Sequence, residues 1–275
     1  KREQLLQHAA PIITNSQTDL KQVPQSSPLG PPLRWTAIDT LGKTGIKEVM
    51  PGRKIPLATH EYYHVLNRGV ASQPIFSSKR DYQRAVETFF YYQNKTVPLK
   101  YSKFLKLASS RRAEILKNLR TKKQYRADIT CYCLMPNHIH LLLKQVADEG
   151  VSKFMSDFAN SYTRYFNTKN ERNGPLFEGK FKAIRIETDE QLIHLSRYIH
   201  LNPYSSYVVK TSKALENYPY SSFPEYLQKT EGSFCSKEII IDQFKSPQSY
   251  RKFVFDQADY QRELEKIKPL ALEEG

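Results

Sequence analysis

His138 and His140 stand two residues apart inside the run Leu134-Met135-Pro136-Asn137-His138-Ile139-His140-Leu141-Leu142-Leu143. An apolar run on either side of a Pro-Asn pair predicts two antiparallel strands joined by a tight turn. Side chains alternate along a strand, so both imidazoles emerge on one face and Ile139 on the other. Two imidazoles so placed make half of a divalent-metal site. The plainer alternative is a pair of half-buried histidines in a sheet, and the pair alone does not separate the two. A metal held by His138 and His140 would need a third protein ligand. Further along, Gln191, His194, Tyr198 and Asn202 recur at intervals of three or four, so they share one face of a predicted helix. A phenol and an amide oxygen one turn apart could approach the same phosphate. Tyrosine is a poor nucleophile near neutrality: its reference pKa of about 10 leaves roughly one molecule in a thousand ionised at pH 7. A divalent cation compensates by polarising the phosphate and neutralising the charge that develops on it. Imidazole and amide ligands are compatible with Mg2+ or Mn2+, although softer metals bind a histidine pair more tightly.

The elements that must carry these residues follow from periodicity. The segment from Glu61 to Arg68 predicts a strand that Gly69 ends, with His64 a strand residue near the site. Tyr82, Val86, Phe89 and Phe90 give the stretch from Lys79 to Gln93 a helical apolar stripe. Val151 to Asn167 is the clearest helix, and its stripe includes Tyr162 and Tyr165, which therefore read as core or groove wall rather than as nucleophiles. Lys180 to Glu187 predicts a short strand. Thr188-Asp189-Glu190-Gln191 has capping-box form and opens the helix of Tyr198, with Leu192, Leu195, Ser196 and Ile199 facing inward. Pro203 is expected to stop that helix. On it, His194 and His200 are expected to be structural or supporting residues. A helical tail runs from Ser249 to Ile267. The order strand, helix, insertion, strand, strand, helix, strand, helix predicts an α+β fold: a ferredoxin-like (RRM-like) antiparallel sheet with helices on one face.

Composition narrows the partner. The chain has 275 residues, 39% of them hydrophobic, and a formal net charge of +14, which suggests a polyanionic partner. Lys95 to Arg126 holds eleven Lys and Arg against the single acid Glu114, a net +10. Phe104, Leu107, Ile115 and Leu119 give this basic insertion a helical seam, expected as two short helices split near Ser109-Ser110. Lys103, Lys106, Arg111 and Arg112 are its candidate phosphate contacts. Asn67, Arg68, Lys180, Lys182 and Arg185 are further DNA-contact candidates, although Asn67 and Arg68 could equally serve a turn. Cys131, Cys133 and Cys235 do not make a disulfide framework, which favours a reducing, cytoplasmic setting. No apolar run approaches membrane-spanning length. Residues 1–49 are glutamine-rich, broken by prolines and without sustained periodicity, so they are expected to be a flexible or foreign leader ahead of a natural start at Met50. Residues 50–226 then form the main domain, with the basic insertion at 95–126, and 227–275 a C-terminal helical tail.

Four ordered stretches carry a family resemblance. Tyr63-His64-Val65-Leu66-Asn67-Arg68-Gly69, Met135-Pro136-Asn137-His138-Ile139-His140-Leu141-Leu142, Gly174-Pro175-Leu176-Phe177-Glu178-Gly179-Lys180-Phe181-Lys182 and Arg197-Tyr198-Ile199-His200-Leu201-Asn202-Pro203 together resemble the REP-associated tyrosine transposases, in the single-tyrosine branch of the HUH nucleases. The resemblance implies a metal-dependent nuclease that cuts single-stranded DNA beside a REP-like hairpin, as a monomer or homodimer, nucleoid-associated when on DNA. It implies attack by Tyr198, a 5′-phosphotyrosine with a free 3′-hydroxyl, and religation to complete strand transfer. His138 and His140 match the family's metal pair, and Asn202 its polar residue one turn beyond the tyrosine. The insertion and the tail exceed a minimal domain. Two competing readings share the residues: a catalytically silent or domesticated hairpin-binding protein, and a metal hydrolase in which water is the nucleophile.

Overall fold

In the computed structural model, residues 56–230 and 234–270 are described; the leader expected at 1–49 lies outside them. Strands β1 (Tyr62–Arg68), β2 (Ala127–Met135), β3 (His138–Gln145) and β4 (Lys182–Ile186) form one antiparallel sheet in the order β2-β3-β1-β4. Helices α1 (Lys79–Tyr92) and α4 (Gly150–Lys169) pack on one face of it. This is the expected ferredoxin-like α+β arrangement. Helices are not confined to that face, however. Helix α5 (Asp189–Ser205) lies across the other, where the stripe of Leu192, Leu195 and Ile199 meets Cys131, Cys133, Met135 and Leu142.

Alternation decides what each face receives. Tyr63, Val65, Ile139, Leu141 and Leu143 point to the first face, into a cluster with Phe89 of α1 and Phe154, Phe158 and Tyr162 of α4. Burial of each of the aliphatic and phenylalanine side chains among them stabilises the fold by about 1.5–3 kcal/mol relative to exposure. Strand β2 would alternate out of step with β3, but a bulge at Thr130 resets it. Ile129 lies opposite Leu143, and Cys131 lies opposite the next residue, Leu142. One extra residue thereby moves Cys131 and Cys133 to the second face.

The basic insertion forms the two expected helices, α2 (Tyr101–Phe104) and α3 (Ser109–Lys122). Its seam of Phe104, Ile115 and Leu119 joins the first-face cluster. The ends of the insertion are clamped together by Arg126, whose guanidinium donates to the carbonyls of Asn94 (2.9 Å) and Lys95 (3.0 Å) and pairs with Asp157 (2.7 Å). After α5 come the short helices α6 (Phe223–Tyr226) and α7 (Glu238–Ile241), then α8 (Pro247–Phe255) and α9 (Ala258–Leu270). The stretch from Ser249 to Ile267, expected to be helical, is divided between α8 and α9. Tyr250 and Val254 of α8 and Ala258 at the start of α9 are buried with α5 in the second-face cluster.

Candidate active site

Strand register brings three histidines to the face that α5 covers. Along β1 and β3, Arg68 lies opposite His138, Leu66 opposite His140, and His64 opposite Leu142. Directly opposed residues point to the same side of a sheet, so His64, Arg68, His138 and His140 share the second face. His64 Nε2 lies 3.0 Å from His140 Nδ1, with the two rings stacked at 5.2 Å. His138 Nδ1 lies 2.7 Å from Asn137 Oδ1, and its ring meets His140 edge-on at 4.8 Å.

Helix α5 delivers the tyrosine. The Tyr198 ring stands edge-on to His140 at 5.6 Å and to His64 at 6.1 Å. The phenol and the histidine pair therefore meet within one chain. Asn202 follows one turn later, buried, and its carboxamide nitrogen donates to the Tyr198 carbonyl at 3.0 Å. His64 and His140 are 3% and 4% exposed, whereas His138 and Tyr198 are half-buried. Solvent thus reaches this cluster at His138 and Tyr198. Burial pushes the His64 imidazole down to about 4, so it is neutral near pH 7.

The turn that carries His138 is anchored from outside the hairpin. The Gly69 N–H donates to the Asn137 carbonyl at 2.8 Å, and the Ile75 N–H donates to that of Pro136 at 2.8 Å. A Cβ at position 69 would come within 2.4 Å of the Gln73 carbonyl oxygen. Only glycine permits that approach. The Glu178 N–H donates to the Arg68 carbonyl at 2.8 Å, which brings the Gly174–Lys182 stretch to the same end of the sheet.

Helix α5 is positioned at both ends. Thr188 caps it, its hydroxyl accepting from the Gln191 N–H at 3.1 Å. The reciprocal bond is shifted by one residue, with Gln191 Oε1 accepting from the Glu187 N–H at 2.9 Å. Pro203 does not stop the helix, which runs on to Ser205. A proline this close to the end forfeits one backbone bond, and the Ser206 N–H still closes the last turn on the Asn202 carbonyl at 3.0 Å. His200 is structural, as expected: fully buried, its Nδ1 lies 2.8 Å from the Tyr250 hydroxyl and its Nε2 2.8 Å from Ser222 Oγ. Burial depresses its pKa to about 3. Gln261 of α9 donates to the Tyr198 carbonyl at 3.2 Å, a brace from the tail that the sequence did not announce.

The rival tyrosines are occupied elsewhere. Tyr162 is buried and donates to the Ile75 carbonyl at 2.7 Å. Tyr165 donates to Asp81 at 2.8 Å, and burial and that carboxylate raise its pKa to about 12.

Among the described residues, no group of three or more His, Cys, Asp or Glu side chains is arranged to hold a metal ion. The donor chemistry of His138, His140 and Asn202 nevertheless fits one. Each imidazole has Nδ1 turned to a protein partner, so Nε2 is the nitrogen on the far side of each ring. The Asn202 amide oxygen is a harder donor than either imidazole.

The basic candidates divide by position. Arg68, opposite His138, and Lys182, opposite Leu66, are exposed on the face of the site. Lys180 is exposed just before β4. Arg185 lies opposite Tyr63 on the first face and pairs with Glu61 at 2.9 Å. Asn67 is buried opposite Ile139, its side-chain oxygen accepting from the Arg68 N–H at 3.0 Å. Lys103, Lys106 and Arg111 are exposed and Arg112 half-buried on the insertion, with Arg111 paired to Glu114. The insertion that carries them packs with the first-face cluster, across the sheet from the histidines.

Comparison with known proteins adds a family. Residues 100–202 match the model of the IS200-like transposases. That span contains the stretches at 135–142 and 174–182 and most of that around Tyr198; Tyr63–Gly69 lies outside it. A solved structure, described as a REP-associated tyrosine transposase bound to a REP hairpin, is 13% identical with a TM-score of 0.42. The likeness covers 68% of this chain and 97% of that one. No curated protein matches. Over residues 100–202, from α2 to Asn202, this chain is similar to the IS200-like transposases.

Proposed function

We propose that this protein is a metal-dependent endonuclease and strand transferase of single-stranded DNA, a transposase that cuts beside a hairpin through a 5′-phosphotyrosine. The observation that carries the reading is the Tyr198 ring set edge-on against His140 of the same chain, beside half-buried His138. In the reaction, the Tyr198 oxygen bonds to phosphorus and gives up its proton. The bond from phosphorus to the 3′ oxygen breaks, and that oxygen leaves as the free hydroxyl. Attack by a 3′-hydroxyl on the phosphotyrosine reverses the step and rejoins strands. Mg2+ or Mn2+ held by His138, His140 and Asn202 would polarise the phosphate and neutralise its developing charge. Asn202 also ties its side chain to the backbone of Tyr198, so ligand and nucleophile move as one unit. Arg68 and Lys182 flank the strand entering the site, and the insertion grips phosphates further away. Because one chain supplies both the tyrosine and the histidines, a monomer suffices for a complete site. Among the described residues no helix is long and apolar enough to cross a membrane, which accords with work on DNA in the cytoplasm. The test is incubation of the full chain with labelled single strands, with and without a hairpin, in Mn2+ and in chelator. A covalent protein–DNA adduct that needs both hairpin and metal supports the reading. Tight hairpin binding with no adduct would instead mark a catalytically silent binding protein.

A further inference from the structure

We infer that His64 is a positioning residue that sets the tautomer of His140, accepting a hydrogen bond from the His140 Nδ1–H and leaving the lone pair on His140 Nε2 for a divalent metal. This rests on the metal reading above and deepens it.

The starting point is the 3.0 Å separation of His64 Nε2 and His140 Nδ1, with the rings stacked. A neutral imidazole carries one N–H and one lone pair. If His64 donated, the His140 proton would sit on Nε2 and block a metal there. With His140 donating, Nε2 carries the lone pair instead. A ligating histidine whose other N–H is held by an acceptor is the recurrent arrangement at metal centres.

His138 shows the same device with its direction settled. Asn137 donates its side-chain nitrogen to the Ser72 carbonyl at 3.1 Å, which turns its oxygen toward His138 Nδ1 at 2.7 Å. An amide oxygen only accepts, so His138 must carry its proton on Nδ1. The two histidines are then oriented alike, one by an amide oxygen and one by His64.

His64 has no evident duty to stability. Its Nδ1 is buried without a hydrogen-bond partner among the described residues. A leucine would fill comparable space without orphaning a polar atom. Nor is His64 a third ligand. It meets His140 through the nitrogen turned away from Nε2, and no cluster of three His, Cys, Asp or Glu side chains is arranged for a metal among the described residues.

The experiment uses the full chain, His64→Leu and His64→Gln. Long-range 15N correlation spectra of the metal-free proteins read the His140 tautomer, and Mn2+ titration reads affinity. The expected result is a His140 Nδ1–H in the parent protein. His64→Leu should bind Mn2+ about 10–100-fold more weakly with no lower melting temperature. His64→Gln should recover most of the affinity, because its amide oxygen can accept the same proton. A His140 proton on Nε2 in the parent, or a leucine variant that holds Mn2+ as tightly, overturns the inference. Continued Mn2+ binding by the His138→Ala/His140→Ala double variant would sink the metal reading itself. That failure is separable, since the tautomer is read without metal.

Discussion

The two faces of the sheet are built from the same strands and do different work. Toward α1 and α4, the strands present Tyr63, Val65, Ile139, Leu141 and Leu143. Toward α5, the intervening positions present His64, His138 and His140. The first face closes on the aromatic rings of Phe89, Phe154, Phe158 and Tyr162. The second closes on a polar relay in which Ser196, His200, Ser222 and Tyr250 satisfy one another. Burying a polar group costs free energy unless it is partnered. Both sides bury polar groups, as Asp81 beside Tyr165 and Lys169 shows for the first, but only the second gathers the histidines. Period-two alternation lets neighbouring residues serve separate ends.

The largest stability effect should come from the first face. Phe158 is fully buried and lies 4.5 Å from Phe89, ring centre to ring centre. Phe158→Ala should cost about 3–5 kcal/mol in denaturant melts, while tyrosine chemistry below the melting transition persists. Loss of adduct formation in protein that is still folded would break the division between the faces.

Acid should act on the second face first. His200 has a folded pKa near 3 against an ordinary value of 6.5. Above 6.5 neither the folded nor the unfolded chain is protonated there, and the contribution to stability is intact. Below it the unfolded chain takes up the proton and the folded one does not, so stability falls until about pH 3. The slope is up to about 1.4 kcal/mol per pH unit. At Asp81 on α1, burial works to raise the carboxyl, but bonds from Lys169, Tyr165 and Ser77 outweigh it and hold the pKa below 3.8. That group costs stability only at still lower pH. In His200→Gln, the decline of melting temperature between about pH 6 and 4 should flatten; a slope equal to the parent's would remove His200 as its cause.

The smallest effect belongs to the insertion, which packs away from the site. Replacing Lys103, Lys106 and Arg111 by glutamate should weaken binding of all single strands. The log–log salt slope should shrink by up to about 0.7 for each residue that meets a phosphate. The cleavage rate at saturating DNA should hold. An unchanged slope makes the segment a solvated surface.

What could be read in advance was local. Two-residue alternation placed His138 and His140 together, the three-to-four spacing placed Tyr198 above Asn202, and Thr188 marked the start of α5. The His64–His140 bond was not legible in this way, because α1, the insertion and β2 separate β1 from β3 in the chain and nothing local sets their register. The bulge at Thr130 is equally silent in the sequence, yet it decides which face receives Cys131 and Cys133. The apolar positions of α5 required partners without naming them: the sheet, and Tyr250, Val254 and Ala258 of α8 and α9. Pro203 pointed to a helix end, but one lost bond in a final turn was outweighed by burial of Leu201, Asn202 and Tyr204.

In the proposed reaction, the second face presents Tyr198 to a phosphate. The most direct test is Tyr198→Phe, which removes one oxygen from a half-buried ring and keeps the ring's edge-on packing against His140. With a hairpin-bearing single strand and Mn2+, the variant should bind DNA as the parent does. It should form no covalent adduct and release no cleaved strand, and peptide mapping of the parent adduct should place the DNA on Tyr198. An adduct that survives in Tyr198→Phe, mapped to Tyr162 or Tyr165, would contradict the account.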